Sequence, residues 1–236
     1  MEEDFHNYKK RLEARIRILN ETGLAPANRQ QILEYYNYIQ ARGLSQARMF
    51  RSIISLRQFA CTLTKPFQEA TEKEVQAYVA SMREKGRMPA TIATNVKILK
   101  VFYKWLNKGE YPACVKNIAS QKDRGKKLPE EMLNEEEVKA LVKHAPGRKE
   151  KALISLLWES GARIGEIGTL RMKNVEFDEH GCKITLNGKT GMRRIRIVKC
   201  AAYLLEWINA HPESNNPNAP LWINMQTIQK ALLQIP

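Results

Sequence analysis

The apolar residues change period late in this chain, and that change limits the folds open to it. Up to Leu106 they recur at three- and four-residue intervals. The sets are Leu12, Ile16 and Leu19; Ile32, Leu33, Tyr36 and Ile39; Met49, Ile53, Leu56 and Phe59; Val75, Tyr78, Val79 and Met82; and Ile92, Val96, Leu99, Phe102, Tyr103 and Leu106. Each set occupies one face of a helix. Farther on, Lys183 to Leu186 and Arg194 to Val198 alternate instead, with Ile195 and Ile197 on one side, as strands do. The expectation is a mainly α protein with a small β-hairpin or sheet near its end.

Punctuation residues set the boundaries. The second helix runs from Asn28 to near Gly43, and the third starts at Ser45. Thr71 with Glu74 spells a capping box for the fourth, which stops at Gly86. The fifth opens after Pro89 and closes at Gly109. Asn134 with Glu137 opens another helix, carrying Val138, Leu141 and Val142. Residues 148–160 hold Ala152, Leu153, Leu156, Leu157 and Trp158, an apolar width that predicts deep burial. Gly161 ends that helix, and a short one is expected over 165–171. The turn residues 187–191 predict a hairpin with a longer-than-minimal loop. A helix over 201–210, with Tyr203 packed into the core, and a final helix start after Met225 complete the reading.

Between the two halves, residues 116–127 carry five lysines and arginines against one acid, Asp123, and no apolar period. This reads as a basic linker. The expected domains are therefore 1–115, a linker over 116–130, and 131–236.

The formal net charge of +14 and a pI near 9.7 suit a polyanionic partner, because each phosphate neutralised releases counterions. Nucleic acid ranks first and an anionic membrane surface second. Cys61, Cys114, Cys182 and Cys200 show no short ligand spacing, so no metal is expected, nor any cofactor. The charged N-terminus and the lack of a long apolar run lead to the expectation of a cytoplasmic protein.

The stretch Gly161 to Ile167, GARIGEI, with Leu170 beyond it, resembles the first conserved box of the tyrosine recombinases, the Xer-like and phage-type integrases. The hairpin motif Gly188, Lys189, Thr190, Gly191 resembles that family's lysine hairpin. Ser45 to Leu63 and Pro89 to Leu106 resemble the helices of its core-binding domain. The resemblance implies a helical, SAM-like core-binding domain followed by a partial α+β catalytic domain, in a nucleoid-associated protein of prokaryotic or viral origin. It also implies that Arg163 clamps a scissile phosphate, with Glu166 supporting it and Lys189 as general acid. A permanently charged planar fork suits a phosphate. DNA contacts are expected from Arg48, Arg51 and Arg57, from Lys97, Lys100 and Lys104, from Lys122, Arg124, Lys126 and Lys127, and from Arg193 and Arg194.

Three downstream features of the family have no counterpart: a His-x-x-Arg box, a later His or Trp, and the tyrosine nucleophile. His211 is followed by Pro212, Glu213 and Ser214, and Tyr203 stands too early. The resemblance therefore implies a chain shortened before its nucleophile. Such a chain binds duplex DNA mostly as a monomer and does not cleave alone, while the full-length protein forms a tetrameric synapse. The competing reading is a non-catalytic DNA-binding or regulatory protein that retains the fold. A metal-dependent integrase ranks low, since Asp4, Asp123 and Asp178 lie in unrelated contexts.

Overall fold

The computed structural model describes residues 7–21, 23–119, 132–188 and 191–223, which fall into two compact units, each with its own core. Lys122, Arg124, Lys126, Lys127 and Lys189, and the helix start expected after Met225, lie outside the described residues.

The first unit is helical: α1 (Tyr8–Glu21), α2 (Pro26–Ala41), α3 (Gln46–Ala60), a 3-10 turn (Phe67–Glu69), α4 (Glu72–Glu84), α5 (Pro89–Leu106) and α6 (Ala113–Lys116). The apolar spacing places these helices correctly because each stripe has a core to face. Helix α3 sits in the middle, packed on α1, α2 and α5. Thr71 and Glu74 form the expected reciprocal capping box. Phe59, Phe67 and Phe102 are fully buried, and the Phe67 and Phe102 rings meet edge-on at 4.9 Å.

Two buried polar side chains of this core, Asn28 and Ser55, are paired. Asn28 donates from Nδ2 to the Lys65 carbonyl and accepts the Phe67 N–H, so one side chain brackets Pro66 at the entry to the 3-10 turn. Ser55 on α3 donates to Asn95 Oδ1 on α5 at 2.6 Å. Val115 and Ile118 are buried in the same core, so packing extends into the stretch expected as linker.

The second unit comprises α7 (Glu135–His144), α8 (Arg148–Ser160), α9 (Ile164–Gly168), a 3-10 turn (Met172–Asn174), β1 (Val175–Asp178), β2 (Gly181–Gly188), β3 (Gly191–Ile197) and α10 (Ala201–Asn209). The sheet is antiparallel in the order β1-β2-β3. Strand β1 was not foreseen: VEFD is short and mostly exposed, and it becomes a strand by pairing with β2 from Val175↔Ile184 to Asp178↔Gly181. Strand β2 buries Cys182, Ile184 and Leu186 on one face. The hairpin turn is also tighter than expected. Asn187 pairs with Met192 and Gly188 with Gly191, leaving two residues in the loop.

Two burial expectations fail. Trp158 is 47% exposed, because the inward stripe of α8 is Ala152, Leu153 and Leu156. Tyr203 is 37% exposed, because α10 buries Ala201, Leu204 and Trp207 instead. In each case the helix offers more apolar surface than one stripe can bury.

Glu159 ties α8 to the start of α10. Its carboxylate accepts the N–H groups of Val198 and Lys199 on Oε1 and of Cys200 on Oε2, at 2.7–3.0 Å. Glu159→Ala should cost about 1–2 kcal/mol, since three donors lose one charged acceptor and two of them can turn to water. A denaturant titration of the variant checks this, and an unchanged midpoint contradicts it.

Candidate active site

Gly161 adopts a left-handed conformation (φ 57°) that ends α8 and turns the chain outward. Arg163 then caps α9. That helix points Ile167 and Glu166 into the core, so Arg163 is left at the surface while its partner is buried. The Arg163 side chain is 69% exposed and that of Glu166 only 5%.

Glu166 is the hub. Its Oε2 accepts the Arg163 backbone N–H at 3.0 Å, and its Oε1 accepts Arg163 Nη1 at 3.1 Å. Arg193 reaches it from β3 as a two-pronged fork, Nη1 to Oε1 at 3.0 Å and Nη2 to Oε2 at 2.8 Å. The Arg193 guanidinium first, and then the Arg163 N–H, pull the Glu166 carboxyl down to about 2. The hairpin comes close here as well: a Cβ on Gly188 would fall inside the Glu166 carboxylate, which its four hydrogen bonds prevent from moving aside. The structure therefore brings together Arg163, Glu166 and, through Gly188 and Arg193, the turn end of the hairpin that carries Lys189.

Arg193, expected to contact DNA, has both its terminal nitrogens on Glu166. Strand parity carries the signal that was missed. Arg193 shares a face with Ile195 and the buried Ile197, whereas Arg194 and Arg196 point the other way. On that outer face Arg196 forks onto Asp178 at 2.7 and 2.8 Å, and Arg194 lies 3.9 Å from Glu176.

In the first unit, Arg48 is exposed and Arg51, one turn on, half-buried. Arg57 is about two and a half turns beyond Arg48, so it points to the opposite side of α3. It is half-buried, with its Nε enclosed and without a hydrogen-bond partner. Lys97, Lys100 and Lys104 do share one face of α5. Lys97 and Lys104 are exposed, Lys104 lies 5.1 Å from the centre of the Tyr111 ring, and Lys100 donates to the Lys116 carbonyl at 3.4 Å.

A cleft of about 900 Å³ in the second unit is lined by Val138, Val142, Trp158, Val198 and Tyr203 among others, and by none of Arg163, Glu166 or Arg193. Arg163 lies outside that cleft with its side chain 69% exposed, within reach of a large ligand that needs no enclosure. Among the described residues, no group of histidines, cysteines and carboxylates could hold a metal ion, and no helix is long and apolar enough to cross a membrane.

Two family profiles match in sequence: "Phage integrase, N-terminal SAM-like domain" over residues 30–113 and "Phage integrase family" over 131–230. Tyrosine recombinase XerA of Pyrococcus horikoshii is 25% identical over 190 residues, covering 79% of this chain and 61% of the relative. Tyrosine recombinase XerC of Natranaerobius thermophilus is 24% identical over 179 residues, covering 71% and 58%. This chain thus spans about three-fifths of the length of these relatives. The lambda integrase (75–356) dimer bound to a COC′ core site shares the fold at a TM-score of 0.69 and 12% identity, covering 87% of this chain and 78% of that one. XerH bound to palindromic difH substrate shares it at 0.60 and 17%, covering 96% and 75%.

Proposed function

Because this chain belongs to the tyrosine recombinase, or phage integrase, family, we propose that it grips duplex DNA and presents Arg163 to one phosphate of the strand to be exchanged. The observation that carries this reading is an exposed arginine anchored from behind by a buried carboxylate. Arg163 gives Glu166 one nitrogen, Nη1, and a guanidinium can spread its remaining donors over two phosphate oxygens. Charge building on those oxygens in the transition state is stabilised by the fixed cation. In the complete reaction a tyrosine oxygen bonds to phosphorus, the bond to the 5′ oxygen breaks, and Lys189 supplies the proton that oxygen takes up. The 3′-phosphotyrosine then stores the break for rejoining.

Affinity is supplied by Arg48, Arg51, Lys97, Lys100, Lys104 and Arg194, whose contacts are with phosphate and carry little sequence information. The relatives' structures on DNA support the duplex as partner. Assembly as a tetramer on DNA is part of the proposal, and these 236 residues by themselves are proposed to stay monomeric in solution and not to cleave.

Joining a tyrosine-bearing C-terminal segment from a relative to this chain tests the proposal. The joined protein should form a denaturant-resistant adduct with duplex DNA, the parent chain should form none, and Arg163→Ala should abolish the adduct while weakening binding only a few-fold. An adduct indifferent to Arg163→Ala defeats the assignment. Binding without any adduct in the joined protein favours a regulatory DNA-binding protein instead.

A further inference from the structure

We propose that Arg193 is a positioning residue that works through Glu166 on Arg163 and does not itself touch phosphate. The inference deepens the reading of Arg163 as a phosphate clamp and rests on it.

Three features of the structure converge on this role. The first is the fork, in which both terminal nitrogens of Arg193 meet both oxygens of Glu166, the arrangement with the least angular freedom. The second is the side of the strand. Arg193 lies on the inward face of β3 with Ile197, while Arg194, the neighbour that faces outward, is 59% exposed against 39% for Arg193. The third is Gly188, paired with Gly191 across the hairpin and pressed against the same carboxylate with no room for a side chain. The end of the hairpin is built to sit on Glu166.

Charge counting shows what this does for Arg163. One carboxylate faces two guanidinium groups, so the cluster keeps a net positive charge, and the excess resides at the exposed member, Arg163. Without Arg193, Glu166 and Arg163 would form a neutral pair. The carboxylate would turn wholly onto Arg163 and oppose its pull on phosphate. Arg193 therefore occupies the buried anion so that Arg163 stays available, and it holds both carboxylate oxygens where one also accepts the Arg163 backbone N–H. Lysine could restore the charge but not the fork.

A double-mutant cycle in the salt dependence of DNA binding separates this from a direct contact. A fluorescein-labelled duplex of arbitrary sequence is titrated with the full chain across a range of salt concentrations. Each phosphate contact contributes about 0.9 to the magnitude of the slope of log K against log salt. Arg163→Ala should lower that slope by about 0.9. Arg193→Gln should lower it by a similar amount, and the double variant by no more than about 0.9 in total. Arg194→Gln combined with Arg163→Ala should instead lose about 1.8, as two independent contacts do. Arg193→Lys, which keeps the net charge and perturbs the fold less, should lose part of the slope in the wild-type background and none in the Arg163→Ala background. Additive losses from Arg193 and Arg163, or a full slope in Arg193→Lys, overturn the proposal and leave Arg163 as a clamp. An unchanged slope in Arg163→Ala overturns the clamp, and the proposal with it.

Discussion

Raising the salt concentration from roughly 50 to 200 mM should weaken duplex binding by on the order of a thousandfold. The size of the effect follows from the number of cations available. Arg48, Arg51, Lys97, Lys100, Lys104, Arg163 and Arg194 are each exposed or half-exposed, and none of the seven is tied up in a fork of the kind Arg193 and Arg196 make. About six phosphate contacts give a slope near −5 in log K against log salt. A net charge of +14 adds long-range attraction that salt screens in the same direction. Lys97→Gln and Lys104→Gln, on the shared face of α5, should each lower the slope by about 0.9, and the paired variant by about twice that. Arg57→Gln should leave the slope alone, because Arg57 is turned away from Arg48 and half-buried. Fluorescence anisotropy with a labelled duplex measures all of these. A slope near zero would remove phosphate contact as the basis of binding.

Glu166→Ala should destabilise the second unit by about 2–3 kcal/mol at neutral pH. Removing one partner of a buried pair costs roughly 3–5 kcal/mol. Here the loss is smaller, because Arg163 and much of Arg193 can return to water. The same residue gives a pH signature. Its carboxyl lies near 2 in the folded chain against an ordinary value of 4.5. A depressed carboxyl contributes stability in full above its unfolded value and loses it as pH falls toward the folded one. The gap in stability between wild type and Glu166→Ala should therefore hold from pH 7 down to about 5 and shrink by roughly half by pH 3. Urea midpoints of both proteins across that range measure it. A gap independent of pH would mean that the carboxylate charge does not hold the cluster together.

Most of the helical framework was legible because it is local. An apolar stripe, a Thr71 or Asn134 cap with its glutamate three residues on, and a left-handed Gly161 act within a few residues of themselves. The same locality made Arg163 and Glu166 readable as a pair, since three residues along a helix start bring them together. Strand β1 was not legible. Four residues are too few to show alternation, and only β2 makes them a strand. The exposure of Trp158 and Tyr203 was hidden for a related reason: each helix carries more apolar residues than its neighbours cover, and the choice among them is made by packing.

The arginines of β3 divide the two kinds of information most clearly. By itself the sequence determined the helical first half, the switch of period, the basic charge and the arginine turn, all of which depend on contacts between near neighbours. It also contained the parity that separates Arg193 from Arg194. Only the tertiary structure decided that Arg193 meets Glu166, 27 residues away, and that Gly188 closes against the same carboxylate. Such a contact depends on how the hairpin and α9 pack on one shared core. Hydrogen bonding within a single turn or strand does not specify that packing.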